Sequence, residues 1–233
     1  MNLKTLKKKL QNIKKQGFVK SHRVGDTGIG KTLEDLLGIK ENNIPLHDIS
    51  DVAELKAYRK DATSMLTLFT LEPLPEGGDR DRLLLDNFGY SKRDNQRSKE
   101  LHSTLSRRRY NNQGLKLSVE KDKIRVQGKG KRLNIYWDIE ILEKKFHDKL
   151  PALVYVLANR KITKNKEHFH FNEAYLLTGF DFESFKKMVK KDEIVVDFRM
   201  YYRPDGSVRN HGTGFRVKIN RLYHAFKNKK KLI

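Results

Sequence analysis

Residues 25–69 read GDTGIGKTLEDLLGIKENNIPLHDISDVAELKAYRKDATSMLTLF. This stretch places a glycine-rich loop before a short helix, followed by a turn, acidic residues and two strands. The helix is predicted over residues 32–37, because Gly38 can end it as its C′ residue. The strands are predicted over residues 52–58 and 65–71. The apolar character of the second strand (MLTLFTL) predicts a central position in a sheet.

The polar residues of this stretch that carry chemistry are Glu34, Asp48, Glu54 and Lys56. Glu54 and Lys56 are two positions apart on a predicted strand, so both side chains point to one face. Asp48 precedes that strand and can meet them. Mg²⁺ prefers carboxylate oxygens, and a cation beside them can stabilise a charged transition state. The pattern predicts a metal-dependent phosphodiesterase site, although a surface salt bridge would have the same spacing.

Each of these residues has an expected role. The metal would lie between Asp48 and Glu54, with the backbone carbonyl of Leu55 as a further ligand. Lys56 would orient and acidify the attacking water or stabilise the transition state. Glu34, on the short helix, would hold a second ion or a water of the metal.

The glycine loop also matches the P-loop expression G-x-x-x-x-G-K-[ST] over residues 25–32, and EIVVD (193–197) would offer a second acid. The preceding residues, GFVKSHRV, are too polar for the buried strand that a P-loop requires. An ATPase remains an alternative that loss of hydrolysis in Lys31→Ala would reveal. Without ATP, the N–H groups that open a helix would still favour phosphate, and DNA supplies phosphates.

Composition points to a polyanionic partner. The 233 residues include 50 Lys and Arg against 29 Asp and Glu, a formal net charge of +21, and cations that neutralise phosphates release counterions. A solvated, lysine-rich surface is the alternative. The absence of cysteine excludes disulfides, thiolate zinc sites and cysteine nucleophiles. The sequence lacks an apolar run of ~20 residues and a signal peptide, so we expect a cytoplasmic protein without a membrane partner.

The spacing of Leu3, Leu6, Leu10 and Ile13 predicts an amphipathic helix. A meander of three strands is predicted over residues 115–119, 124–127 and 133–136, and ALVYVLA (152–158) is predicted to be a buried strand.

Helical and strand patterns thus mix along the rest of the chain, which favours a mixed α/β (α+β) architecture. A proline- and glycine-rich loop over residues 73–78 suggests a lobe boundary. We therefore expect residues 1–75 to form mainly a catalytic lobe and residues 76–233 mainly a DNA-recognition lobe, with the chain crossing between them. Arg107 to Tyr110 (RRRY) would either follow a phosphate backbone or form an exposed charged turn.

Several segments together resemble the MvaI/BcnI family of restriction endonucleases, which is in turn similar to the mismatch-repair nicking enzyme MutH. The segments are TGIGKTLEDLLG, NNIPLHD, ELK, LTLF, YWD, ALVYVLA, HFHFNEAYLLT and HGTGFRV. The resemblance covers roughly residues 17–222. It implies a PD-(D/E)xK nuclease core with a catalytic and a recognition lobe around a DNA cleft. It also implies the catalytic set Glu34, Asp48, Glu54 and Lys56. The spacer between Asp48 and Glu54 is one residue longer than in the family, so Asp51 competes for the role of first acid.

By the same resemblance the chain would be a monomeric type II endonuclease that cuts double-stranded DNA at CC-central base-GG sites. Its cofactor would be Mg²⁺, with Mn²⁺ as a substitute, and a cognate DNA methyltransferase would accompany it. Since arginine pairs with guanine in the major groove, the expected base readers are Thr70, Arg209, His211, Thr213 and Arg216. The threonine at position 70 makes A or T the expected central base of the site.

Lys31, Arg59 and Lys60 flank the catalytic residues and are the expected phosphate-binding residues. Two other functions stay open from the sequence. One is a MutH-like nicking enzyme that depends on a partner protein. The other is a non-catalytic, basic nucleic-acid-binding protein whose acidic residues only form salt bridges.

Overall fold

The computed structural model describes residues 1–39, 53–92 and 95–233. Within these ranges the helices, in chain order, are α1 (Leu3–Lys15), α2 (Gly28–Leu37), α3 (Gly78–Phe88), α4 (Ile139–Lys149), α5 (Phe182–Lys190) and α6 (Leu222–Ala225). The strands are β1 (Val19–Lys20), β2 (Glu54–Arg59), β3 (Leu66–Thr70), β4 (Tyr90–Lys92), β5 (Asn95–Leu105), β6 (Leu115–Val119), β7 (Lys123–Gly128), β8 (Lys131–Asp138), β9 (Ala152–Thr163), β10 (Lys166–Thr178), β11 (Ile194–Tyr202), β12 (Val208–Asn210), β13 (Gly214–Val217) and β14 (Asn228–Lys231). The mixed α/β class is confirmed.

The chain divides into two compact units, each built from separate stretches of sequence. The first unit comprises residues 1–64, 147–180 and 222–233, and the second comprises residues 65–146 and 181–221. This division differs from a boundary at residue 75, because the long strands β9 and β10 and the C-terminal β14 belong with the N-terminal segment. No helix in the described ranges is long and apolar enough to cross a membrane.

A five-stranded sheet forms the centre of the first unit. Its order is β1-β10-β9-β2, and β14 also pairs with β10. Strand β2 runs parallel to β9, whereas the other pairs are antiparallel. The apolar stripe predicted for α1 is confirmed at Leu6, Leu10 and Ile13, which are buried in a core that also contains residues of α2, β2 and β9. Leu3, the fourth predicted member, is exposed.

The second unit contains a six-stranded sheet and a three-stranded one. The larger has the order β3-β13-β11-β5-β4, with β12 on β11, and the smaller has the order β6-β7-β8. Strand β3 is an edge strand of the larger sheet as described, so the predicted central position is wrong. Its apolar composition reflects an aromatic core instead, in which Phe69 stacks on Phe215 at 5.1 Å between ring centroids. The predicted 115–136 meander is confirmed as β6, β7 and β8.

Candidate active site

Strand β2 places Glu54 and Lys56 side by side at one end of the first unit's sheet. The residue between them, Leu55, points to the opposite face and is buried in the core with α1 and α2. The Nζ of Lys56 lies 2.7 Å from Oε1 of Glu54, and Glu54 is only 8% exposed. The prediction that the two side chains share one face is confirmed.

A second lysine reaches the same carboxylate. The Nζ of Lys149, the last residue of α4, lies 3.5 Å from Oε2 of Glu54, so each carboxylate oxygen has an ammonium partner. Burying a carboxylate costs several kcal/mol unless opposite charges and hydrogen bonds compensate it. The two lysines supply the opposite charges that compensate the burial of the Glu54 carboxylate.

Sequence reasoning did not find Lys149. It reaches Glu54 because β2 pairs in parallel with β9, in a register that sets Glu54 opposite Leu153. Lys149, four positions before Leu153, therefore lies near the N-terminal ends of both strands, where Glu54 is. The buried strand ALVYVLA was recognisable in the sequence, but nothing in the sequence specifies its partner or its register.

Glu34 lies half-buried on α2, next to the core residue Leu33, and α2 packs against β2. Asp48 and Asp51 lie outside the described residues. Among the residues that are described, no group of three His, Cys, Asp or Glu side chains could hold a metal ion. The donors that β2 itself offers, the Glu54 carboxylate and the Leu55 carbonyl, are hard oxygen ligands. Their chemistry therefore fits Mg²⁺.

The glycine loop opens α2 at Gly28, so the predicted helix start at Thr32 is wrong by one turn. A Cβ at position 28 would lie 2.3 Å from the carbonyl oxygen of Arg23, which explains why this position requires glycine. The strand before the loop, β1, has only two residues and pairs with β10. This is not the buried central strand that a P-loop requires.

The predicted phosphate-binding cations all have carboxylate partners within the first unit. The Nζ of Lys31 is 2.7 Å from Oδ1 of Asp35, whose pKa is held below its ordinary value by hydrogen bonds from Lys31 and then from His22. Arg59 pairs with Glu167 at 2.8 Å, and Lys60 pairs with Glu173. Phosphate binding by Lys31, Arg59 and Lys60 stays a prediction, and it would compete with these ion pairs.

The five predicted base readers all belong to the second unit. Thr70, Arg209 and His211 are exposed. Thr213 is fully buried, and Arg216 is occupied within the sheet, where it donates to Asp197 and, over 2.6 Å, to the carbonyl oxygen of Met65. The first three side chains are therefore accessible to a ligand, whereas Thr213 has a structural position.

Thr213 belongs to a partly buried polar network that fixes the turn carrying His211. Its N–H and hydroxyl donate to the two oxygens of Glu72 over 2.7 and 3.0 Å. Arg80, whose side chain is 4% exposed, binds Glu72 at 2.8 Å and Asp81 at 2.6 Å. Asn210 donates to both acids, over 3.1 and 3.0 Å. We name this set (Glu72, Arg80, Asp81, Asn210, Thr213) the turn network.

One face of the larger sheet is polar and carries Arg199, a residue that no sequence motif indicated. Asp197, the acid that a P-loop would need, accepts hydrogen bonds from Arg216 and from the Thr104 hydroxyl. Arg199 lies on the same face, with Nη2 3.5 Å from Asp197 and a half-exposed side chain. The alternation in IVVDFRM contained this signal, because Val196, Phe198 and Met200 are buried on the opposite face.

Comparison with known proteins defines first the class and then the family. The structure matches that of restriction endonuclease MvaI in complex with its cognate DNA substrate, with a TM-score of 0.85, 28% sequence identity and 100% coverage of both chains. It matches MvaI in the absence of DNA with a TM-score of 0.57 and 27% identity, over 99% of this chain and 97% of that one. No curated protein matches the sequence. The fold is thus that of a restriction endonuclease.

The model of the MvaI/BcnI restriction endonuclease family matches residues 7–226, and the chain belongs to that family. It is a type II site-specific deoxyribonuclease.

Proposed function

We propose that this enzyme cuts double-stranded DNA at a short site of the form CC-central base-GG by Mg²⁺-dependent hydrolysis of phosphodiester bonds. The observation that carries the proposal is the Glu54 carboxylate, nearly buried at the start of β2 and contacted by two lysines, in a chain of this family. The similar MvaI structure contains cognate DNA, which supports duplex DNA as the substrate here.

Glu54, the Leu55 carbonyl and Asp48 would hold the ion, and Glu34 would support it from α2. Asp51 is the alternative to Asp48. The chemistry that Mg²⁺ supplies when bound is Lewis-acid stabilisation of the charge on the phosphate. Mn²⁺, which accepts similar oxygen ligands, would replace it.

Lys56 would act on the attacking water. Its ammonium group, held by Glu54, would hydrogen-bond the water and favour the ionised form of that water. The water oxygen forms a bond to phosphorus as the bond from phosphorus to the 3′ oxygen breaks, which leaves 5′-phosphate and 3′-hydroxyl ends. Lys149 would add a second positive charge beside the same carboxylate and so limit the repulsion between Glu54 and the anionic phosphate.

The second unit would read the sequence. Arg209 and His211 are exposed on the second unit, and so is Thr70 of β3, which pairs with Gly214. Arginine donates two hydrogen bonds to guanine O6 and N7. Arg216 would reach a base only by leaving Asp197, and Thr213 would act through the turn network. Thr70 favours A/T as the central base.

Glu54→Ala and Lys56→Ala test the proposal, with Lys190→Ala, an exposed lysine of α5, as the control. Wild-type enzyme with Mg²⁺ and plasmid should give fragments whose sequenced ends define one site. Since positioned acid–base groups contribute about 10²–10⁴-fold, each active-site variant should lose cleavage by about that factor, whereas the control should cut normally. Unchanged cleavage in both variants would refute this site.

The same digestion separates the other functions. Nicked circles without linear product would indicate a MutH-like nicking enzyme, and DNA binding without any cleavage would indicate a non-catalytic protein. We further propose a monomer that cuts the two strands in turn, a cytoplasmic location, and a cognate methyltransferase that protects host DNA. Sedimentation of the enzyme and cleavage of methylated sites would test the first and last of these.

A further inference from the structure

The loop between β5 and β6 carries three consecutive arginines, Arg107, Arg108 and Arg109, and all three are exposed. We name residues 106–114 the arginine loop. Arg108 forms one long ion pair, 3.6 Å from Asp192. Within the described part of the chain, the guanidinium groups of Arg107 and Arg109 form no ion pair. Arg107 and Arg109 therefore present positive charge that no carboxylate in the described part of the chain neutralises.

Asn111 holds the backbone of this loop in one shape. Its side-chain amide donates to the Ser103 hydroxyl over 2.7 Å and to the Thr104 carbonyl over 3.0 Å. Its side-chain oxygen accepts from the N–H groups of Gln113 and Leu115 over 3.1 and 2.9 Å. A single side chain thus ties the loop both to β5 and to the start of β6.

A second anchor fixes the beginning of the loop. The N–H of Arg107 donates to Oδ1 of Asp192 over 2.6 Å, and the Ser106 carbonyl accepts from the N–H of Leu117 over 2.8 Å. Asp192 itself has a φ of +59°, a left-handed conformation that a non-glycine residue adopts only where its surroundings require it. The arginines therefore extend from a backbone that is ordered before any ligand binds.

The arginine loop borders the polar face of the larger sheet. A cavity of about 600 Å³ has His102, Thr104 and Val195 of that face on one side, and residues 109–113 of the loop on the other. Val195 pairs with Arg216 across β11 and β13, and paired residues lie on the same face of a sheet. The cavity therefore lies on the face that carries Asp197, Arg199 and Arg216. A polyanion lying on this face would meet the loop at its border.

We propose that the arginine loop is a phosphate clamp, which binds the DNA backbone beside the bases read by the second unit. The inference rests on the proposed function, because it takes duplex DNA as the ligand. Guanidinium groups bind phosphate oxygens through paired, charge-assisted hydrogen bonds. Because Asn111 and Asp192 already fix the loop backbone, the loop loses little conformational entropy when it binds DNA. Such contacts position the duplex without reading its sequence.

The test is a triple variant, Arg107→Gln, Arg108→Gln and Arg109→Gln, which keeps the loop's backbone contacts and its anchors. Binding to a duplex with a CC-central base-GG site and to a scrambled duplex is measured in EDTA across a salt series. Since each lost phosphate contact reduces the slope of log K against log salt by about 0.9, the slope should fall by about 2–3 on both duplexes. The affinity ratio between the duplexes should stay unchanged.

The matched control is Lys4→Gln, Lys7→Gln and Lys8→Gln, three exposed lysines of α1 that remove the same total charge. An equal fall in slope for control and loop variants would overturn the clamp, because general charge would then explain the effect. An unchanged slope in the loop variant would also overturn it. If the wild type cuts DNA at defined ends while the loop variant binds DNA normally, the clamp proposal is refuted and the proposed function is not. If the wild type neither binds nor cuts DNA, the proposed function fails too.

Discussion

Asn210 is the side chain that connects the second unit's turn network to the turn itself. Besides its two bonds to Glu72 and Asp81, its side-chain oxygen accepts from the N–H of Gly212 over 2.8 Å. Gly212 has a φ of +90°, in the region that favours glycine. His211, exposed between the two, therefore has a backbone fixed from both sides.

We predict that Asn210→Ala loosens specificity more than it lowers activity. Losing hydrogen bonds to two partly buried carboxylates should cost about 1–3 kcal/mol of unfolding free energy, measured by urea denaturation. The ratio of kcat/KM for the correct site over sites with one changed base should fall, because His211 would sample several positions. Asn220→Ala, at an exposed position, should change neither quantity. An unchanged ratio in a destabilised Asn210 variant would restrict the network to a structural role.

Single residues also show what the sequence could and could not predict about the site. The shared face of Glu54 and Lys56 followed from strand alternation, which is a local property. The contact of Lys149 with Glu54 joins positions 95 residues apart, and it depends on a strand register that local patterns do not determine. The burial of Thr213 likewise depends on Glu72, a distant acid whose role no motif indicated.

Among the elements, helix α2 begins within the glycine loop and packs against β2, the strand that carries Glu54 and Lys56. Its two glycines differ in the space around them: Gly28 is closely packed, whereas Gly30 is open. A Cβ at Gly28 would meet the Arg23 carbonyl at 2.3 Å and the Ser21 hydroxyl at 2.7 Å, whereas one at Gly30 would meet nothing within 4 Å. The same substitution should therefore have opposite effects at the two positions.

We predict that Gly28→Ala destabilises the enzyme by about 1–3 kcal/mol, because the backbone near Arg23 must move. Gly30→Ala should stabilise it by roughly 0.5–1 kcal/mol, since alanine is the better helix former and no neighbour opposes it. Thermal unfolding of both variants measures the difference. Equal shifts in the same direction would contradict the close approach at Gly28.

Most elements were predictable because their signals are local. The stripe of α1, the meander of β6 to β8 and the buried strand ALVYVLA all appear where periodicity placed them. The position of β3 at the end of its sheet was not predictable. An apolar strand has the same composition whether a second strand or an aromatic core covers it, and composition does not distinguish these environments.

For the whole molecule, the important property is that both units are discontinuous in sequence. A fragment of residues 1–75 contains α1, α2 and β2 but lacks β9, which is the strand that β2 pairs with. We predict that this fragment does not fold alone, and that circular dichroism shows no cooperative unfolding. A cooperative transition with the helix content of α1 and α2 would show instead that the N-terminal segment is an independent domain.

The parallel pairing of β2 with β9 also determines when the proposed active site can assemble during synthesis of the chain. Glu54 and Lys149 are 95 positions apart, and translation adds about 5–20 residues per second. The ribosome therefore needs roughly 5–20 s after making Glu54 before it makes Lys149, and the partner strand β9 is made only after that. During that interval the proposed cleavage centre lacks one of its two lysines and the strand that pairs with β2, so we expect the nascent chain to cut no DNA near the ribosome.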